Sequence, residues 1–308
     1  MNIIVSGSLA YDRIMDFPGY FADHILPEKI HVLNISFTVN GLREKFGGTA
    51  GNIAYALALM GEKPEISATI GNDYHRYLDW LAKNGLSTKN IKIIEEEFTA
   101  SAYITTDQAD NQITGFNPGA MKYSSSLEFD RLDPKETLLI VSPGNLEDME
   151  NYPRACKSKG IDYIFDPGQS IPMLGADDLL RAIEGSRILI SNDYELELIM
   201  SKTGLNKEAL LKKARAIIVT LGESGSRIYT PDSEITIPAV NPKKVEDPTG
   251  AGDSYRGGLI SGLVRGLTIE RSARIGSVCA SFAVECYGTQ DYRFSPEEFE
   301  ARFKSCYE

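Results

Sequence analysis

Residues 247–258 read DPTGAGDSYRGG. Pro248 is expected to end a preceding strand, because it cannot donate to a sheet ladder. Gly250, Ala251 and Gly252 carry little or no side chain, so successive backbone N–H groups can converge on one point. The apolar helix that follows adds the positive end of its dipole, and the two together form an anion site suited to a phosphate. Asp253 falls in the first turn of that helix. A carboxylate beside a bound phosphate can take the proton of a hydroxyl as the hydroxyl attacks phosphorus. For GAGD alone, a glycine-rich turn capped by Asp253 is an equally good reading.

Outward from this turn the chain reads as α/β. Short apolar runs at 3–5, 66–70, 138–141, 161–165, 188–190 and 217–221 are mostly followed by a turn and then a stretch of helical period. Such alternation predicts a mainly parallel central sheet flanked by helices on both faces. Right-handed crossovers then place the strand C-termini along one ligand-binding edge. Residues 251–265, 269–286 and 296–305 read as successive helices whose Ala, Gly and Ser content predicts close packing. Two stretches depart from the pattern. Residues 13–46 show no clear helix, and residues 98–117 contain TASAYITTDQADNQITGF at 99–116, two β-rich runs around a polar turn at 108–111. Paired into a small β-sheet over the ligand edge, these stretches would form a lid; a surface flap that only covers apolar sheet is the alternative. With no repeat or linker, a single α/β domain over 1–308 with a discontinuous lid is expected.

Composition narrows the partners. The chain has 308 residues, 42% apolar and 24% charged, with a net charge of −11. An acidic surface repels phosphate backbones, so no nucleic acid is expected, while local donors and a metal ion can still hold a small phosphorylated cosubstrate. No apolar window approaches a membrane span. The opening MNIIVSGSLAYD has no basic region or cleavage-like end, which reads as cytoplasmic. Cys156, Cys279, Cys286 and Cys306 lack CxxC spacing and read as reduced thiols, each a small buried hydrophobe. His24, His31 and His75 are not spaced as metal ligands.

DPTGAGDSYRGGLI at 247–260 resembles the second signature of the PfkB (ribokinase-like) carbohydrate and nucleoside kinases, and GGTAGNIAYALALMGEKPEISATIG at 47–71 resembles the first. The resemblance runs over nearly the full chain. It implies a ribokinase-like three-layer fold and transfer of the ATP γ-phosphoryl group to an alcohol, with Mg2+ required. It makes Gly250, Ala251 and Gly252 the anion hole and Asp253 the base. SLAYD places Asp12 where the family binds sugar hydroxyls. In FGGTAGN, Gly47 and Gly48 let the backbone approach the sugar and Asn52 donates to a hydroxyl, although read alone Asn52 is simply a helix N-terminal residue. SNDYE resembles an N-x-x-E motif that organises magnesium and phosphate, which gives Asn192 and, through water, Glu195; by spacing alone Glu195 is one of three acids on a helix. TLGESG, with Thr220, Gly222 and Gly225, resembles the nucleotide loop. Asp166 in DPG stands where the family has an acidic strand end near the metal. Some members need K+, and Asp247 and Thr249, with a later loop at 283–289, lie where they bind it.

The chain has no GxxxxGK[ST], no protein-kinase catalytic loop, no GxSxG and no zinc pattern. The acceptor is read from two features. Phe37, Phe46, Phe98, Tyr103 and Phe116 in the lid stretches suit a flat purine, unless they form the lid's own small core. LAYDRIMDFPGYF, HILPEKIHVLNISF and ITTDQADNQITGFNPGAM resemble the bacterial adenosine-kinase-like branch, which implies phosphorylation of the 5′-hydroxyl of adenosine to give AMP. A ribokinase or fructokinase acting on free sugar is the runner-up, and a degenerate ligand-binding protein the third reading. Monomer and homodimer both stay open, no arginine or lysine is singled out for the γ-phosphate, and Arg256, after the base, is given no role.

Overall fold

The computed structural model describes residues 1–25, 35–109 and 111–308. Residues 26–34, with His31 and most of the HILPEKIHVLNISF stretch, and residue 110 of the hairpin turn lie outside the described residues.

The apolar runs form strands because each alternates between two covered faces. Ile3, Val5, Leu138, Ile140, Ile188, Ile190 and Ile218 enter one core layer. Ile4, Leu139, Val141, Leu189, Ile217 and Val219 enter the other. These strands are β1 (Asn2–Ser6), β4 (Glu65–Gly71), β5 (Ile91–Ile94), β8 (Thr137–Val141), β9 (Asp162–Phe165), β10 (Ile188–Asn192) and β11 (Ile217–Thr220), all parallel. An antiparallel pair, β12 (Ser226–Tyr229) and β13 (Glu234–Ile237), completes a nine-stranded sheet in the order β13-β12-β11-β10-β9-β8-β1-β4-β5.

One face is covered by α1 (Thr49–Leu59), α2 (His75–Lys83), α7 (Ala251–Val264) and the start of α8 (Ile269–Ala283). The other is covered by α3 (Leu146–Lys159), α4 (Ala176–Ile183), α5 (Asp193–Thr203) and α6 (Lys207–Leu211). The last helix, α9 (Pro296–Tyr307), packs on α8 through Phe299 and Phe303. Close helix packing is present as expected. A Cβ on Gly258 would stand 2.7 Å from the Cys279 Sγ, so α7 and α8 touch through their backbones. No described helix is long and apolar enough to cross a membrane.

Two strand-rich excursions do pair into a small sheet. β2 (Ala10–Asp16) runs antiparallel to β3 (Asn40–Gly47) and parallel to β6 (Ala100–Thr106), and β7 (Gln112–Asn117) closes the hairpin with β6. Arg13 ties this sheet to the body: it bonds Glu44 at 3.0 Å, Tyr103 at 2.7 Å and Asp73, before α2, at 3.1 Å.

The structure corrects several readings. The strand before the glycine turn ends at Ile237, so Pro248 closes a loop and not a strand. Helix α8 stops at Ala283, where the chain turns toward the site. Only Cys156 and Cys279 are buried; Cys286 is half-buried and Cys306 exposed. The aromatic residues of the small sheet divide. Phe37 stacks on Phe17 and Phe21 in a local cluster, and Phe46 packs on Tyr11, Tyr77 and Trp80. Phe98, Tyr103 and Phe116 are exposed.

Candidate active site

Strand β1 sits between β4 and β8, and the winding of the sheet reverses there. The crevice at such a switch point is where α/β sheets take their ligands. Thr49, at the N-terminus of α1, spans it by donating to the Pro143 carbonyl after β8 at 2.7 Å. Thr49, Pro143, Asp166, Asn192, Glu195, Thr220, Gly222, Gly250, Gly252, Asp253 and Arg256 line one cavity of about 460 Å³. Residues from five separate signals in the sequence thus converge on the C-terminal edge of the sheet.

The glycine turn opens α7 as anticipated. Gly250 is the N-cap, with φ +77, a conformation that excludes most side chains. The amides of Gly250, Gly252 and Asp253 have no acceptor among the described residues, so they are free to hold an anion. The Ala251 amide is different: it donates to the Pro248 carbonyl at 3.3 Å, and Ala251 lines a neighbouring cavity.

Asp253 lies beside these amides, only partly open to the cavity. Burial pushes its carboxyl up to about 6. Arg256 and the Asn52 amide pull it down, while Asp166 and Glu195 push it further up. Asn52 Nδ2 donates to Asp253 Oδ2 at 2.8 Å. The second hydrogen of that amide has no partner among the described residues, so one side chain can touch both the carboxylate and a ligand hydroxyl.

Arg256, left without a role by the sequence, is buried and forms a two-pronged pair with Asp166, Nε to Oδ2 at 2.5 Å and Nη2 to Oδ1 at 2.7 Å. A third bond runs from Nη1 to the Gly252 carbonyl at 3.0 Å, so this guanidinium braces the anion turn from behind. Burial acts to lower the Arg256 pKa, but Asp166, Asp253 and Glu195 raise it, and it stays charged. Asp166 is at the end of β9 beside the cavity, as read, but its oxygens are committed to Arg256. The one signal for Arg256 in the sequence was a long cation in a helix otherwise built of small and apolar residues.

Asn192 and Glu195 meet in a capping box at the start of α5: Asn192 Oδ1 accepts the Glu195 amide at 2.7 Å, and Glu195 Oε2 accepts the Asn192 amide at 2.9 Å. Both still line the cavity, and Glu195 Oε1 has no protein partner among the described residues. No group of three or more Asp, Glu, His or Cys capable of holding a metal exists among the described residues. This donor set fits an ion that keeps its waters and is carried in by phosphates, which is how Mg2+ binds.

Thr220, Gly222 and Gly252 join this cavity to a second of about 370 Å³, lined by Gly225 and walled by Val240, Pro242, Val245, Ala280 and Val284. Its walls are apolar and its mouth adjoins the amide turn. Gly225, at φ +89, passes so close to β13 that a Cβ would stand 2.1 Å from the Ile237 carbonyl. Toward the small sheet, Asp12 lies on β2 against Gly47, whose missing Cβ leaves room for the carboxylate. Burial, and then Asp247, pushes Asp12 up to about 6. Gly48 caps α1 against the backbone of Ser8–Ala10. Asp247 accepts the Thr249 amide at 2.9 Å and the Gly288 amide at 3.1 Å, which ties the segment before α7 to the loop at 283–289.

Fold and site together are those of a ribokinase-like α/β enzyme. The profile of the pfkB family of carbohydrate kinases matches residues 13–295, and the chain belongs to that family. The nucleoside kinase of Methanocaldococcus jannaschii is 36% identical over 266 residues, 85% of this chain and 87% of the relative. The structure of a Burkholderia thailandensis nucleoside kinase in complex with inosine matches with a TM-score of 0.87 at 37% identity, covering 99% of this chain and 98% of that one. The same protein in complex with ADP-inosine matches with a TM-score of 0.85 at 38% identity, over 99% and 96% of the two chains.

Proposed function

We propose that this protein transfers the γ-phosphoryl group of ATP to the 5′-hydroxyl of a purine nucleoside, with adenosine, giving AMP, as the acceptor put forward. The observation that carries the transfer chemistry is the juxtaposition of unpaired amides at Gly250, Gly252 and Asp253 with the recessed Asp253 carboxylate. In this reading the apolar cavity takes the adenine of ATP, and the phosphates lie across the amide turn. Asp253 accepts the hydroxyl proton as the new O–P bond forms and the bond to the β-phosphate oxygen breaks, releasing ADP. Bound Mg2+ would supply positive charge to the phosphate oxygens, and Glu195, with Asn192 beside it, would hold its waters. The small sheet acts as a lid that excludes water.

The nucleoside acceptor is supported by the two relatives above and by strand register. Asp12 pairs with Lys45 and Ala102, and Ala102 with Phe116, so all four share one face of the small sheet. Phe116 is 53% exposed on that face, free to stack on a base bound beside Asp12. Tyr103 is on the opposite face with Arg13 and takes no part. Phe116→Ala is expected to raise the KM for the nucleoside by about tenfold and leave that for ATP unchanged. Equal changes in both constants would remove Phe116 from the site.

A panel assay tests the acceptor. Purified protein with ATP and Mg2+ is offered adenosine, inosine, other nucleosides, ribose and fructose, and ADP release is followed. Turnover with adenosine and inosine is expected, adenosine the better. Turnover with free sugars alone would reject the nucleoside reading, and ligand binding with no turnover would reject an enzyme. Replacing K+ by Na+ in the same assay decides whether the Asp247 loop responds to potassium.

A further inference from the structure

Asn52 reaches Asp253 through its amide, and an amide has two faces. With Nδ2 toward the carboxylate it donates; turned over, Oδ1 would face the carboxylate and repel it. The direction is set by a chain of side chains that no motif in the sequence contains. Trp80, the one tryptophan of the chain, has an indole N–H that can only donate, and it donates to Gln290 Oε1 at 2.9 Å. Gln290 Nε2 therefore points the other way, to Asn52 Oδ1 at 3.0 Å and to the Tyr77 oxygen at 2.9 Å. Tyr77 gives its own proton to the Gly47 carbonyl, so its oxygen is left to accept. Both Gln290 hydrogens and its oxygen are thus committed, and reversing it would set N–H against N–H at Trp80. The single proton of the Thr289 hydroxyl is shared between Asn52 Oδ1 at 2.8 Å and the Phe46 carbonyl at 3.0 Å, so the direction of the amide is set by Gln290. Gln290 and Tyr77 are buried, so water does not relax this order.

We propose that Gln290, oriented by Trp80 and Tyr77, is a positioning residue for Asp253: it locks the Asn52 amide with its N–H toward the carboxylate and so keeps that carboxylate an acceptor. The inference rests on the reading of Asp253 as the base. The donor order runs one way, from the indole through Gln290 and Asn52 to the carboxylate. It also joins α2 and the segment after α8 to the first turn of α7, three parts of the chain far apart in sequence.

Other charged groups act on Asp253: Arg256 on its own helix, Asp166 after β9 and Glu195 on α5. Tyr77 and Tyr292 face it and stay neutral, and Asp12 on β2 acts on Tyr77 from the other side. Trp80→Phe and Gln290→Met add no charge and leave these charged groups in place, so a shift in the titration of Asp253 reports the amide. Trp80→Phe keeps an aromatic ring but removes the N–H with the pyrrole half of the indole; Gln290→Met keeps the side-chain length, adds no charge, removes the donor toward Asn52 and frees the amide to turn. The carboxyl of Asp253 is titrated by carbon NMR in protein labelled at aspartate, assigned by its loss in Asp253→Asn. The acid limb of kcat/KM with adenosine is measured in parallel. Both should move to higher pH, by about one pH unit in Gln290→Met and by less in Trp80→Phe. Folded variants, by circular dichroism, whose Asp253 titrates where it does in the wild type would overturn the relay even if turnover falls. Because the titration needs no substrate, absence of nucleoside turnover in the wild type would count against the proposed function and leave the relay to the NMR result.

Discussion

Asp253→Asn is expected to lose ~10²–10⁴-fold in kcat while melting above the wild type at neutral pH. The first half follows from removing the only carboxylate among the described residues that lies beside the unpaired amides of the α7 turn and is not committed to a cation or a helix cap. The second half follows from its titration. Burial, opposed by Arg256 and Asn52, raises its pKa to about 6 from an ordinary value of 3.8. A carboxylate with a raised folded-state pKa costs stability when ionised. Below about pH 4 it is protonated in both states and contributes nothing. The cost grows between about 4 and 6 and is complete above that window. Asparagine keeps the shape and still accepts from Asn52 Nδ2, so it relieves a cost of about 1–2 kcal/mol at pH 7.5. For a chain of this size that is ~2–5 °C in melting temperature. Calorimetry at pH 7.5 and pH 4.5 checks both ends: the gain should shrink toward zero at the lower pH. A variant that is inactive but less stable than the wild type at pH 7.5 would mean that Asp253 is a structural anion held by its neighbours. A variant with near-normal kcat would take away the role of base.

The parts of this molecule that were legible in the sequence are those governed by local rules. Strands β1, β4, β8, β9, β10 and β11 showed as apolar runs because both faces of a central parallel strand are covered. The amide turn showed because its N-cap, Gly250, takes a positive φ that most side chains exclude, and the hairpin of β6 and β7 because a polar turn splits two β-rich runs. What stayed hidden depends on contacts between distant segments. Asp166 and Arg256 are 90 residues apart in sequence, and nothing local says that the cation of one answers the carboxylate of the other. Gln290 lies in an irregular segment without periodicity, and nothing local gives its partners Trp80 and Tyr77 a polar role. Asn192 and Glu195 illustrate the reverse hazard. Their spacing fits both a ligand motif and a helix cap, and the structure realises the cap while leaving one oxygen of Glu195 toward the cavity. The edge pair β12 and β13 was missed because its short strands are half polar.

Arg256→Met should be the most destabilising single change at the site, and pairing it with a second change separates fold from chemistry. Asp166 is 2% exposed, and among the described residues the guanidinium is its only cationic partner. Methionine fills much of the space but strands the carboxylate, and an uncompensated buried charge costs about 3–5 kcal/mol. The loss should be visible as an earlier midpoint in urea at pH 7.5. Adding Asp166→Leu removes the stranded charge, and stability should return most of the way, because a buried ion pair exchanged for apolar packing is often close to neutral. Activity should not return. Arg256 is the nearest cation pulling the Asp253 pKa down, and it braces the carbonyl of Gly252 at the turn whose amides face the cavity. Arg256 lowers the Asp253 pKa by more than Asp166 raises it, so with both removed Asp253 should still titrate above about 6 and be partly protonated at neutral pH, and the acid limb of kcat/KM moves up. The turn also loses its brace, and kcat is expected to stay down by at least ~10-fold even above the limb. A double variant that recovers both stability and wild-type kcat would make Arg256 a packing element alone. One that recovers stability and stays slow, with its acid limb displaced, would show that the buried pair holds the site in register and tunes its base.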